Sequence, residues 1–151
     1  MRTAMLFTPR LLVRTLLVAA LGSALPALAD IYVVVPSASG VKAMSQKEVQ
    51  ALYMGRTRAF PDGGFALPFD LPRDDPARAA FYRALTGMSA AEVNSYWARL
   101  MFSGQTMPPQ PLPTEAAMVE VVSRNPSAIG YLPQAPADAA LRVVLVLKEA
   151  K

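Results

Sequence analysis

Residues Ile31-Tyr32-Val33-Val34-Val35 make an unbroken β-branched and apolar run, ended by Pro36. A strand without polar alternation has no side to give to water, so the fold must cover it on both faces. Strands of this kind sit inside sheets, most typically largely parallel ones, with helices layered over them. The chain must therefore supply helices after this strand, and the pattern argues a layered α/β architecture rather than a helical bundle.

The helices announce themselves through their caps. In Met44-Ser45-Gln46-Lys47-Glu48-Val49, Ser45 stands three residues before Glu48, the spacing of a capping box, and Met44 and Val49 flank it as a hydrophobic staple would. Met88-Ser89-Ala90-Ala91-Glu92-Val93 repeats the arrangement. The two segments diverge at once after Val49 and Val93, which favours shared capping chemistry over an internal duplication. The first helix is predicted from about Ser45 to Met54, with Val49, Leu52 and Tyr53 inward and Gly55 as its stop. Pro61-Asp62-Gly63-Gly64 is turn chemistry, and Phe65 to Phe69 is predicted as a strand, with Pro68 marking it as irregular or an edge.

Asp75 and Pro76 suit the N-cap and first position of another helix, whose inner face is Ala77, Phe81 and Leu85 and whose stop is Gly87. Val93, Tyr96, Trp97, Leu100 and Met101 then fall on one helical stripe, read as core. Gln105 to Pro113 holds four prolines and is predicted as an extended connection. Thr114 caps a fourth helix, Glu115 to Arg124, with Met118, Val121 and Val122 inward. Ala128 to Leu132 and Leu141 to Leu147 are predicted strands.

The first 29 residues carry Arg2, Arg10 and Arg14, an apolar stretch from Leu16 to Leu25, and the small-x-small box Ala27-Leu28-Ala29. This is the three-part pattern of a cleavable signal peptide, and the apolar stretch is shorter than the roughly 20 residues a membrane span requires. The expected division is a leader over 1–29 and a single domain over 30–151, exported to the periplasm with no membrane span left after cleavage. Three of the fifteen basic residues and none of the eleven acidic ones precede Asp30, so the formal charge falls from +4 for the whole chain to +1 beyond the leader. The basic balance belongs mostly to the leader, and a nucleic-acid partner loses its support.

The chain has no cysteine and no histidine. No disulfide framework is available, and the residues that supply most zinc sites, thiol nucleophiles and general bases are missing. There is no G-x-S-x-G elbow and no Gly-rich phosphate loop. Asp70, Asp74 and Asp75 form the densest carboxylate group, read as helix capping and a solvated turn rather than a calcium loop. No catalytic residue, metal or cofactor is expected, and the chain is read as a binding protein rather than an enzyme. The starts of helices offer unpaired N–H groups to an anion.

Three segments together resemble phosphate-type periplasmic substrate-binding proteins. They are Leu52-Tyr53-Met54-Gly55-Arg56, Phe81-Tyr82 after Arg73-Asp74-Asp75, and Ala128-Ile129-Gly130-Tyr131 preceded by Asn125-Pro126. The resemblance runs from about Ile31 to Leu132. It implies an α/β, single-lobe periplasmic-binding-protein-like domain of type 2, with a central mixed sheet flanked by about four helices. In that family the segments form one of two lobes that close over phosphate, and the turn before the second helix reads Arg-x-Asp-Gly-Ser-Gly-Thr. Arg73 and Asp75 match its Arg and Asp, but Pro76, Ala77, Arg78 and Ala79 stand where Gly-Ser-Gly-Thr would. The hydroxyl donors and one amide donor are lost, and the chain is too short for the other lobe.

What the resemblance implies is a solute-binding-like protein with weak phosphate or oxyanion binding. The candidate ligand positions are Arg73, Asp75 and Arg78, then Ser37, Ser39 and Gly40 and the helix start at Thr114. A transporter component, a second copy or another protein would supply the missing lobe. The alternative is an interaction module that retains the fold without the ligand.

Overall fold

The computed structural model describes residues 29–148, so the leader expected over 1–29 lies, except for Ala29, outside the described residues. The chain runs β1 (Ile31–Pro36), α1 (Gln46–Tyr53), β2 (Leu67–Asp70), α2 (Pro76–Thr86), α3 (Ala90–Phe102), β3 (Gln110–Pro111), α4 (Glu115–Arg124), β4 (Ala128–Leu132) and β5 (Leu141–Leu147). The strands form one mixed sheet in the order β3-β2-β4-β1-β5. β2 is parallel to both β3 and β4, whereas β1 is antiparallel to both β4 and β5.

The β1 run is buried as its sequence requires, with Val33, Val34 and Val35 fully enclosed. The central mixed sheet implied by the resemblance is observed, and within it the neighbours of β1 are antiparallel, unlike the largely parallel setting in which such runs are most typical. Burial on both faces reports what lies above and below a strand and carries no information about the direction of its neighbours. β4 shows how the two faces are covered. A Cβ on Gly130 would meet Met118 Sδ at 2.5 Å and Val122 Cγ2 at 2.9 Å, so α4 presses on this face so closely that only glycine fits. The next residue, Tyr131, points to the opposite face and stacks on Phe81 of α2 at 3.8 Å. Tyr53 of α1 packs edge-on against the same two rings.

The predicted helix starts are observed. Ser45 and Ser89 each accept a bond from the backbone N–H three residues on, while Glu48 and Glu92 reach back to the cap N–H at 2.7 Å. Met44 and Val49 are buried as a staple. Ser45→Ala and Ser89→Ala are each expected to lower stability by about 1 kcal/mol, seen as a lower denaturant midpoint with an unchanged slope. An unmoved midpoint for either variant would contradict the cap assignment.

Other expectations need correction. The strand predicted from Phe65 begins at Leu67, and β2 is not at the edge of the sheet. Outside it lies the two-residue β3, inside the stretch read as a bare connection. Leu67 donates its N–H towards β4, to Ser127 O at 2.7 Å. The next nitrogen, that of Pro68, therefore faces the β3 side, where pairing starts only at Phe69. A proline is tolerated there because no ladder bond is needed. In α3, Val93 and Trp97 are buried and Tyr96 and Leu100 half-buried, but Met101 is exposed, since the stripe outruns the surface it packs on.

Candidate functional site

The topology sorts the candidate residues by strand direction. The turn carrying Arg73 and Asp75 follows the carboxyl end of β2. Leu112, just past β3, donates its N–H to Asp70 O at 2.8 Å, so Thr114 and the start of α4 lie at that same end of the sheet. Ser37, Ser39 and Gly40 follow the carboxyl end of β1, which runs antiparallel, and so they lie at the opposite end. The Ser37 and Ser39 carbonyls accept from the Arg142 guanidinium at 2.7 and 2.8 Å, and Ser39 Oγ accepts from Val41 N–H at 3.1 Å. Ligands of open α/β sheets meet the carboxyl ends of parallel strands, which here favours the Arg73, Asp75 and Thr114 end.

Asp75 is the N-cap of α2, with Oδ1 accepting from Ala77 N–H at 2.8 Å, and Thr114 accepts from Ala117 N–H at 3.1 Å as the cap of α4. Each cap side chain thus engages a helix donor that an anion would otherwise reach. Arg73 is exposed and, among the described residues, forms no ion pair.

Arg78, a candidate ligand position in the sequence, is turned inward instead. Its side chain is 6% exposed, and Nε lies 2.9 Å from Asp70 Oδ2. Asp70, read as part of a solvated turn, is the buried centre of a polar cluster. Its Oδ2 also accepts from Tyr82 OH at 3.1 Å, and Oδ1 accepts from Tyr131 OH at 2.6 Å and from Leu71 N–H at 2.9 Å. The Arg78 guanidinium lies 5.0 Å from the centre of the Tyr82 ring, and its Nη1 is buried without a partner. Tyr53 OH lies against Phe69 O and Ile129 O, at 2.9 and 3.2 Å.

Burial works against the Arg78 charge, but the field and hydrogen bond of Asp70 outweigh it and hold the guanidinium above its ordinary value. Burial also pushes the Tyr53, Tyr82 and Tyr131 hydroxyls well above the usual 10, with the Asp70 charge adding to it in each. The cluster is a neutralised interior ion pair wrapped in protonated phenols. Its chemical effect is to fix where β2 ends and the Arg73 turn begins, and to keep the Arg78 cation internally paired. The helix period carried a signal for this: Arg78 and Tyr82 are four apart, and Arg78 adjoins the buried Ala77 and Phe81, so an arginine on that face required a buried partner.

These features define a mixed α/β domain of the periplasmic-binding-protein fold, with the starts of α2 and α4 and the exposed Arg73 at the carboxyl ends of β2 and β3. Among solved structures, a protein from Clostridium perfringens assigned as a phosphate ABC transporter substrate-binding protein, with bound phosphate, is similar at a TM-score of 0.61 and 18% identity, over 78% of this chain and 45% of that one. An ABC-type phosphate transport receptor from Vibrio cholerae gives 0.57 and 14% identity, over 78% and 46%. The chain thus spans less than half the length of these structures. No family sequence model and no characterised protein sequence matches it. No described helix is long and apolar enough to cross a membrane.

Proposed function

We propose that the chain is a periplasmic solute-binding-like protein, exported by its leader, that meets phosphate or a similar oxyanion weakly at Arg73 and the start of α2. The observation that carries this is the exposed, unpaired Arg73 at the carboxyl end of β2, in a fold shared with a phosphate-bound structure. Asp75 and Pro76 each withhold an amide from the anion, and Asp70 withholds Arg78. One open lobe leaves the ligand hydrated, so the other half of the site comes from a transporter component, a second copy or another protein.

Titration calorimetry with phosphate is expected to give a Kd in the millimolar to high micromolar range, about −4 to −6 kcal/mol. Binding weakens with added salt and disappears in Arg73→Ala. Sub-micromolar binding, or heat that survives Arg73→Ala, would exclude this site. The second reading, a module that binds a protein and no oxyanion, is favoured by the same internal pairing of Arg78. It predicts no heat with phosphate or sulfate and partner capture that Arg73→Ala leaves intact.

A further inference from the structure

At the amino ends of β2 and β3, away from the Arg73 turn, lies a half-open groove of about 220 Å³. It is bounded by the end of α1, the segment entering β2, and the proline-rich connection between α3 and β3. Trp97, 4% exposed, forms its floor. The indole reaches that position because residue 55 is glycine: a Cβ there would stand 2.8 Å from Trp97 Cη2 and 3.0 Å from Thr106 Cγ2, on a backbone with φ of +69°. Phe65 and Met107 line the same groove and are 56% and 65% exposed. Two large apolar side chains left in water on one concavity differ from scattered surface apolar residues, which need no explanation.

Arg58 is the one charged residue lining this groove. Its Nη2 reaches Thr106 Oγ1 at 3.3 Å, and among the described residues it forms no ion pair. The groove therefore has an apolar body and a cationic edge with no internal counter-charge. Its size is below the roughly 300–1,000 Å³ of sites for drug-sized ligands, which limits the occupant to about one ring or a short branched chain. An inorganic oxyanion would be stripped of water against Trp97, Phe65 and Met107 and would find, beyond Arg58, only the neutral side chains of Thr57, Thr106 and Gln110. A carboxylate matches the planar fork of an arginine and leaves the rest of the molecule free to be apolar.

We infer that this groove binds a small apolar carboxylate, its body over Trp97 between Phe65 and Met107 and its charge at Arg58. The site is separate from the Arg73 turn and does not depend on oxyanion binding there.

Trp97 is the only tryptophan of the chain, so its emission reports on the groove floor alone. The full chain is titrated with 3-phenylpropionate and with the neutral 3-phenylpropanol, with equilibrium dialysis run in parallel. The expected result is saturable binding of the acid with a change in Trp97 emission. Binding should be about two- to fivefold weaker for the alcohol and for Arg58→Gln, weaker for both probes in Phe65→Ser, and unchanged in Arg73→Ala. Equal binding of acid and alcohol, absence of saturation, dialysis binding without a change in emission, or loss in Arg73→Ala would overturn the inference. So would emission that changes with protein concentration alone as sedimentation shows a dimer, because the groove would then be covered by a second copy.

Discussion

Asp70→Ala is expected to destabilise the domain by about 3–5 kcal/mol, the cost of leaving one member of a buried ion pair uncompensated. The carboxylate accepts from Arg78, Tyr82, Tyr131 and Leu71, and no solvent reaches Arg78 Nη1 to replace it. The reverse truncation differs. In Arg78→Met the carboxylate keeps three donors, two phenols and the Leu71 amide, and the thioether side chain occupies part of the arginine's volume. Its cost should be clearly smaller, and the double variant should be more stable than Asp70→Ala alone. Urea denaturation of the three variants measures this. Equal losses for the two single variants would mean that the charge of Arg78 is not confined by Asp70.

Above pH 10 stability is expected to fall steeply. Tyr53, Tyr82 and Tyr131 are held protonated, first by burial and then by neighbouring charge, well past the usual 10. In the unfolded chain they ionise near 10. The native state then retains protons that the unfolded state releases, so stability is fully present below pH 10 and declines as pH rises beyond it. One retained proton corresponds to about 1.4 kcal/mol per pH unit, and three approach about 4 kcal/mol per unit. Tyrosinate absorbance from three of the five tyrosines should appear together with loss of far-ultraviolet circular dichroism. Ionisation of all five ahead of the structural transition would contradict the enclosure of these hydroxyls.

The elements most legible in the sequence are those whose signal is local. Ser45 with Glu48, Ser89 with Glu92, and Asp75 with Pro76 mark helix starts through chemistry contained within four residues, and all three are observed as read. Strand direction was not legible. The Ile31–Val35 run records how deeply it is buried, and its antiparallel partners lie about a hundred residues away. β3 escaped notice because two residues beside prolines carry no periodicity. Asp70 was misread for a related reason: a carboxylate three residues before an Arg-Asp-Asp turn resembles solvated turn chemistry, and only the fold brings Tyr131 and Tyr82 to it. The Trp97 groove joins segments from three regions of the chain and has no sequence pattern of its own.

The placement of β1 has a consequence for how the molecule comes into being. Among the described residues the first strand made is an interior one, and it needs the last strand made: Ile31 pairs with Leu147, and Lys148 closes on Asp30 at 2.6 Å. Nearly the whole chain must therefore be present before its most apolar segment is covered, and the loop closed by that pairing places the fold among slower ones. A chain arrested before residue 141 would keep β1 as an open edge strand, exposing backbone that another copy could pair with. The same pairing brings Asp30 and Lys148, near the two limits of the described residues, side by side, so that a few added residues would join them and turn residues 30–148 into a closed ring.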